Sequence, residues 1–227
     1  MTKPFIVVTG TDTGVGKTLA ACMLTCHLRA KGMNALACKP FASGGRRDIR
    51  LLQAVQPGCA TDEEICPYGY ELALAPWVAA RLAHRRSPRL ALVTRHLRDL
   101  SKRFYPVIIE GCGGLRAPLG EGYDLLDIVQ KLDCAVVVVA ANRLGTLNHT
   151  VLTVQAVQSQ ARKPAKVLLM GVRNPDISSR SNLLILRRLL KGCAVLEMPY
   201  LGLRPETAAA LKKNCKKFEK ALARLVE

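Results

Sequence analysis

The chain has 227 residues, 49% of them hydrophobic, and a formal net charge of +17. This length suits one α/β domain with a buried core, so we expect a single domain over residues 1–227. The charge suggests a polyanionic partner, but lysine and arginine are spread along the whole chain, and no basic cluster is interleaved with aromatic residues. No apolar run reaches the ~20 residues of a membrane span. We therefore expect neither a nucleic-acid nor a membrane partner.

The nine cysteines are odd in number and contain no Cys-x-x-Cys pair, and several lie within apolar runs. This pattern is typical of reduced thiols that serve as small core residues. The first apolar run begins at Phe5, which leaves no room for a signal peptide. Together these features predict a cytoplasmic protein.

Six apolar, β-rich runs alternate with segments of helical periodicity. The runs are Phe5–Val8, Ala35–Cys38, Val107–Ile109, Ala135–Ala140, Val167–Met170 and Val195–Met198. Fully apolar strands separated by helices predict an α/β fold, with a mostly parallel central sheet and helices on both faces. Ligands bind such sheets at the carboxyl ends of the strands, so functional residues are expected just after each run.

A glycine-rich loop follows the first run and precedes a predicted helix. Gly14, Val15 and Gly16 can bring backbone N–H groups close to a phosphate at the helix start, because glycine tolerates positive φ. Lys17 can reach the β- and γ-phosphates, and the Thr18 hydroxyl can bind Mg²⁺. The first glycine of the common pattern is displaced by one position. The sequence thus predicts a variant phosphate-binding loop of a P-loop NTPase-like fold, with ATP and Mg²⁺ as cofactors.

The second run is followed by Lys39, Ser43 and Asp48. Lys39 is the first polar residue beyond a buried strand, and it is either an ordinary strand-end lysine or a second cation at the phosphates. Asp48 begins a predicted helix, Asp48–Val55, where its carboxylate is either an N-terminal cap or a metal ligand. Further along, Thr61–Pro67 is predicted to be a loop, and helices are predicted at Leu74–His84 and Leu90–Phe104.

The third run ends in Glu110, followed by Gly111, Cys112 and Gly113. Phosphate-loop proteins hold Mg²⁺ with an acidic residue at the end of a hydrophobic strand, usually aspartate. The glycines that follow allow the backbone to approach a ligand. This segment is therefore expected to contact the metal and the nucleotide.

The fourth run leads into a helix that begins near Gly145 and extends to about Ala161. Either Thr146 or Asn148 is predicted to cap it, and its free N–H groups can bind a carboxylate. No Asn-Lys-x-Asp box follows the fourth or fifth run, which favours adenine over guanine. After the sixth run, an amphipathic C-terminal helix is predicted over about residues 205–226.

Taken together, these motifs resemble the dethiobiotin synthetase family. The resemblance rests on residues 10–18, 39–44, 110–119 and 144–149 and on Asn174, which occur in the family order over nearly the whole chain. It implies an ATP-dependent ligase of biotin biosynthesis. Such an enzyme converts 7,8-diaminopelargonate and CO₂ or bicarbonate into dethiobiotin and releases ADP and phosphate.

The resemblance also implies roles for individual residues. Lys17 and Lys39 would be catalytic, and Thr18, Asp48 and Glu110 would bind Mg²⁺. The adenine would lie among Asn174, Pro199, Tyr200 and Leu201. The diamine substrate would contact Ser43, and its carboxylate would bind across a homodimer interface at Gly145, Thr146, Leu147 and Asn148.

Three features of the sequence depart from the family pattern. Gly14 stands where glutamate is common, and the segment between Gly44 and Asp48 is shorter than in many members. The stretch from Cys66 to Pro76 matches the substrate-side region of the family only loosely, which leaves a related diamine or a weakened activity as alternatives. A partitioning-type ATPase switch that binds nucleic acid or membrane is the principal alternative, but its loop carries lysine where this chain has Asp12. An amidoligase relative from corrinoid biosynthesis would need a further glutaminase domain, which this length cannot hold.

Overall fold

A computed structural model describes residues 3–163, 165–203 and 205–226. Each of the six predicted runs is a strand of one central sheet. The strands are β1 (Phe5–Gly10), β2 (Leu36–Cys38), β5 (Val107–Glu110), β6 (Cys134–Ala141), β7 (Ala165–Met170) and β8 (Val195–Met198). The remaining two strands, β3 (Phe41–Ser43) and β4 (Tyr68–Tyr70), pair in parallel with each other.

The central sheet has the order β2-β5-β1-β6-β7-β8, and every neighbouring pair is parallel. The prediction of a mostly parallel sheet is therefore confirmed. Strand β1 is central and pairs with β5, with Val8 in register with Glu110. This pairing brings the end of β5 to the start of the phosphate-binding loop, although about a hundred residues separate them in the sequence.

Helices cover both faces of the sheet. They are α1 (Lys17–Ala30), α2 (Arg47–Val55), α3 (Asp62–Ile65), α4 (Pro76–Leu82), α5 (Leu90–Ser101), α6 (Leu125–Lys131), α7 (Thr146–Ala156), α8 (Asn182–Leu189), α9 (Ala208–Lys217) and α10 (Glu219–Val226). A π-helical turn, Val157–Ala161, extends α7, and a 3₁₀ helix, Ile177–Arg180, precedes α8.

Alternate side chains of each strand enter two hydrophobic layers. Phe5 and Val7 of β1 pack in the layer that contains α5, α6 and α7, whereas Ile6 and Val8 pack against α1, α9 and α10. This alternation follows from the two-residue period of a strand, and both faces are apolar because both are covered.

Two predictions about local structure are wrong. Residues 61–67 are not only a loop, because Thr61 and Glu64 form a capping box that starts α3. The C-terminal segment is not one helix from residue 205. The helical part begins at Ala208 and is capped by Thr207, whose side chain accepts a hydrogen bond from Ala210 N. The helix is interrupted at Phe218, where ψ is 21°.

All nine cysteines carry free thiols, and five of them are buried. Among the helices of residues 3–163, 165–203 and 205–226, none is both long and apolar enough to cross a bilayer.

Candidate active site

The loop between β1 and α1 is so tightly folded that glycine is required in it. Gly14 and Gly16 have φ angles of 73° and 102°, in the left-handed region that side chains disfavour. A Cβ atom on Gly10 would lie 2.9 Å from both the Asp12 carbonyl oxygen and Val15 Cγ2. Gly10, the displaced first glycine of this variant loop, is thus required because Asp12 and Val15 of the same loop pack closely against it.

Helix α1 begins at this loop with Gly16 as its N-cap, and no side chain of the described residues caps it. The free N–H groups of its first turn can therefore donate hydrogen bonds to an anion. The Val15 side chain is buried in the core, which leaves only its backbone for a ligand. Lys17 Nζ donates a hydrogen bond to the Asp12 carbonyl oxygen at 2.8 Å, and burial lowers the pKa of this ammonium.

A buried cluster of charged and polar groups lies beside the loop. Lys39 follows β2, and its Nζ donates to Glu110 Oε1 at 2.8 Å and also to Asp48 Oδ2. Thr18 Oγ1 donates to the same Glu110 Oε1 at 2.6 Å. The fold therefore brings together four residues that the sequence proposes separately, namely Lys39, Asp48, Glu110 and Thr18.

The pKa values of the three ionisable groups in this cluster are shifted in different ways. Burial alone would lower the pKa of Lys39, but Glu110 and Asp48 raise it well above its ordinary value. Burial raises the pKa of Glu110, and Lys39 offsets only part of this effect. Burial would likewise raise the pKa of Asp48, but Lys39 lowers it. One ammonium thus lies between two carboxylates, of which the more exposed Asp48 ionises more readily.

The cluster has the donor set that Mg²⁺ prefers. Thr18, Asp48 and Glu110 supply oxygen atoms, and Glu110 Oε2 is buried without a hydrogen-bond partner among the described residues. A cation there would satisfy this oxygen and favour the ionised carboxylate. The described residues contain no group of three or more His, Cys, Asp and Glu side chains that could hold a metal by themselves. This set therefore suits an ion that keeps several of its water ligands.

Asp48 does not cap α2. The N-cap position belongs to Arg46, and Asp48 lies in the first turn with its carboxylate directed to Lys39. The alternative that Asp48 is only a capping residue is therefore wrong, because its side chain joins the charged cluster instead of the free N–H groups of the helix.

Ser43 and Cys112 lie on the other side of the cluster, with Ser43 Oγ 3.6 Å from Cys112 Sγ. Gly113 has a φ of 73°, and Gly111 N donates to the Val8 carbonyl oxygen at 2.9 Å. The glycine segment after β5 is thus held against β1, where a larger residue at position 111 would contact Leu125.

These groups line a cavity of about 940 Å³, at the upper end of the range for small-molecule sites. Ala73–Pro76, at the end of the stretch that the sequence relates to the substrate side, also line the cavity. Sequence reasoning missed another part of the wall, where Arg47 and Glu206 pair at 2.7 Å. No local signal could have revealed the pair, because its members are 159 positions apart.

The residues proposed for adenine lie at the ends of β7 and β8. Tyr200 lines the cavity, whereas Asn174, Pro199 and Leu201 do not. The two strand ends are close together, since a Cβ atom on Gly171 would lie 2.4 Å from Tyr200 N.

The segment Gly145–Asn148 lies outside the cavity. Gly145, with a φ of 89°, is the N-cap of α7, and no side chain caps this helix. The prediction of a Thr146 or Asn148 cap is thus wrong. Thr146 is buried with its Oγ1 3.4 Å from Thr150 Oγ1, and Asn148 is exposed.

The fold has close structural counterparts at low sequence identity. The MinC:MinD cell division protein complex of Aquifex aeolicus matches with a TM-score of 0.60 and 16% identity, covering 97% of this chain and 95% of that one. The MinD cell division protein of the same organism matches with a TM-score of 0.57 and 13% identity. At these identities the likeness concerns the fold alone.

The sequence relationships are more specific. A family model described as an AAA domain matches residues 5–208. The ATP-dependent dethiobiotin synthetase BioD of Bacillus velezensis is 35% identical over 213 residues, which cover 91% of this chain and 88% of the relative. The enzyme of the same name from Haloferax mediterranei is 38% identical over 212 residues, with 92% and 90% covered. The chain therefore belongs to the dethiobiotin synthetase family of ATP-dependent ligases.

Proposed function

We propose that the protein converts 7,8-diaminopelargonate and CO₂ into dethiobiotin in this cavity, and that ATP is cleaved to ADP and phosphate in the reaction. The observation that carries this proposal is the convergence of Lys39 and Thr18 on one carboxylate oxygen of Glu110. Lys39 adds a second buried cation beside Lys17, and Ser43 supplies a hydroxyl to the same cavity. Two cations at one site suit a reaction in which negative charge develops on a transferring phosphoryl group.

The chemistry proceeds through a carbamate. One amine of the substrate adds to CO₂, the carbamate oxygen attacks the γ-phosphorus of ATP, and ADP leaves. The second amine then attacks the carbonyl carbon of this mixed anhydride, and phosphate departs as the cyclic urea forms. Mg²⁺, when bound by Thr18, Asp48 and Glu110, would neutralise charge on the phosphate oxygens.

The two lysines have different roles in this mechanism. Lys39 stays protonated because its pKa is raised, so it acts as a fixed positive charge towards the carbamate and the phosphoryl group, and not as a base. Lys17, at the start of α1, acts on the β- and γ-phosphates, with the N–H groups of Gly14, Val15 and Gly16. The chain's residues thus supply positioning and charge neutralisation.

The nucleotide base is assigned to the ends of β7 and β8. Tyr200 is exposed over 42% of its surface and lines the cavity, so its ring is available to contact adenine. Asn174, Pro199 and Leu201 complete this region. The glycine segment from Gly111 to Gly113, including Cys112, would contact the phosphates or the substrate from the opposite side.

We further propose that the chain forms a homodimer and acts as a single domain in the cytoplasm. Leu144 and Ile177 are 80% and 82% exposed, and Leu144 N donates to Asp176 Oδ2, so both belong to one surface. Two neighbouring apolar side chains that are this exposed would lose contact with water if a second protein covered them. This surface adjoins Gly145–Asn148, whose helix start would then receive the substrate carboxylate across the interface.

Phosphate release measured with every combination of ATP, diamine and bicarbonate tests the activity. We expect turnover only when all three are present, with dethiobiotin formed in equal amount and identified by mass spectrometry. Equal ATP hydrolysis without the diamine would overturn the proposal. So would stimulation by DNA or anionic vesicles in place of the diamine, which is the behaviour of a partitioning-type switch.

Light scattering on the intact protein tests the assembly. We expect the mass of a dimer for the wild type and of a monomer for Leu144→Asp with Ile177→Asp. The matched control, Leu82→Asp, changes a residue that is 59% exposed on α4 and should remain dimeric. A monomeric wild type would contradict the homodimer.

A further inference from the structure

A second concavity lies far from the cavity described above. It is formed by the C-terminal end of α1, the end of α2 and the residues of α9 and α10 that face them, and it has a volume of about 470 Å³. Small-molecule sites commonly span about 300–1,000 Å³. Helix α1 begins at Lys17 and is 14 residues long, so its two ends are about 20 Å apart. This basic groove is therefore distinct from the nucleotide site.

The rim of the basic groove carries four cations and one carboxylate. Arg29, Lys31, Lys212 and Lys216 line it together with Glu219. Arg29 is held in place, because its Nη1 donates to the Ala35 carbonyl oxygen at 2.9 Å. Within the described ranges, no carboxylate forms a salt bridge with the side chains of the three lysines. The described lining residues therefore carry more positive than negative charge, since Glu219 is the one carboxylate among them.

The floor of the basic groove is apolar. It is formed by Val55 and the thiols of Cys26 and Cys215. Burial raises the pKa of Cys215 to about 11 and also raises that of Cys26, so both thiols are neutral near pH 7 and behave as small hydrophobic groups. A ligand that filled this space would thus need an apolar body.

His27 adds a polar group whose partner is missing. It lines the basic groove and is only 2% exposed. Its Nε2 has no hydrogen-bond partner among the described residues. Buried polar groups are normally paired, so the hydrogen bonding of His27 is left incomplete by the described residues.

We propose that the basic groove is a binding site for a small amphiphilic anion, with its charged head at Lys212 and Lys216 and its aliphatic body on the floor. An acidic head group alone would leave the apolar floor exposed to water, and an uncharged chain would leave the lysines unbalanced. The site requires both parts in one molecule. A medium-chain carboxylate has this chemistry and the size to fit.

Calorimetric titration with octanoate, carried out on the intact protein, tests the proposal. We expect saturable binding of octanoate. At the groove, followed through the ring protons of His27, 1-octanol, which lacks the charge, and inorganic phosphate, which lacks the tail, should bind more weakly. Chemical-shift changes of the histidine ring protons locate the site, because His27 should respond and the exposed His84 and His149 should not.

A matched pair of double variants separates the groove from general surface charge. Lys212→Glu with Lys216→Glu reverses two charges on the rim, and we expect octanoate affinity to fall about tenfold or more, which corresponds to about 1.4 kcal/mol. Lys213→Glu with Lys217→Glu makes the same charge change on the same helix, at positions that do not line the groove. Its affinity should stay within about threefold of the wild type.

Three results would overturn the proposal. The first is absence of saturable octanoate binding to the wild type. The second is an equal loss of affinity in both double variants, which would make the effect one of net charge. The third is a response of the His27 ring protons to inorganic phosphate at concentrations as low as those of octanoate, which would make the apolar floor irrelevant. None of these variants touches Lys17, Lys39 or Glu110, so the outcome is independent of whether the proposed ring closure is correct.

Discussion

Lys39 Nζ and Glu110 Oε1 lie 2.8 Å apart although 71 positions separate them in the sequence. Strands β2 and β5 are neighbours in the sheet, with Cys38 in register with Ile109, so the residues that follow each strand emerge side by side. The Glu110 side chain is fully buried and that of Lys39 nearly so. In a buried pair of this kind, each group influences the pKa of the other. Four predictions follow from this coupling or from the loop and helix that hold the two groups in place.

Replacing Lys39 by alanine should strongly reduce catalysis without unfolding the protein. Loss of one donor that stabilises charge developing in the transition state typically lowers kcat about 10²–10³-fold, and we expect a loss of at least this size. Glu110 can accept a proton once its partner is gone, because burial already raises its pKa. Phosphate release and circular dichroism would measure the two effects, with Lys102→Ala, an exposed position, as the control. Near-normal kcat in Lys39→Ala would remove Lys39 from the reaction.

The stabilising effect of Asp48 should depend on pH. The Lys39 ammonium lowers the pKa of Asp48 in the folded state, so its contribution is present above the unfolded value of about 3.9 and is lost as the pH falls through the lower folded value. The free energy of unfolding of the wild type should therefore exceed that of Asp48→Asn at pH 7, and the difference should shrink below about pH 4. Urea titrations at several pH values measure it. A difference that grows on acidification would contradict the assigned direction.

Replacing Gly10 by alanine should damage the phosphate-binding loop. The new Cβ would lie 2.9 Å from the Asp12 carbonyl oxygen, so the loop must shift, and a displacement of about 1 Å can lower the rate about 10²-fold. Steady-state kinetics with varied ATP would show the loss in kcat/KM. Gly58→Ala is the control: it introduces left-handed strain at a φ of 68° but should leave kcat/KM unchanged. Equal activity of both variants would show that the loop tolerates the side chain.

The short helix α3 should support the position of Lys39. Lys39 N donates to the Ile65 carbonyl oxygen at 2.9 Å, and Ile65 ends the helix that Thr61 caps. Thr61→Ala should lower the free energy of unfolding by about 0.5–2 kcal/mol and reduce kcat. Thr153→Ala, at a half-buried position of α7 that does not line the cavity, should change stability by no more than about 0.5 kcal/mol. A stable Thr61→Ala variant with reduced kcat would separate the positioning effect from general destabilisation.

The sequence alone determined the six strands of the central sheet and the phosphate-binding loop, and it proposed the residues of the candidate site, but it did not predict the pair β3 and β4. Apolar runs flanked by helical segments predict buried parallel strands, because both faces of such a strand meet hydrophobic side chains. Gly16, Lys17 and Thr18 form a local motif. Lys39 is recognisable as the first polar residue after a buried strand, and Glu110 as the polar last residue of another. All of this information is contained in short stretches of sequence.

The tertiary structure decided which of these residues meet. The sheet order places β5 between β2 and β1, and only that order brings Lys39, Thr18 and Glu110 to one point. The ion pair of Arg47 and Glu206, the α3 cap and the break at Phe218 also escaped prediction. The physical reason is common to all these cases. Strand order and side-chain contacts depend on packing between distant segments, whereas periodicity and turn chemistry report only on neighbours along the chain.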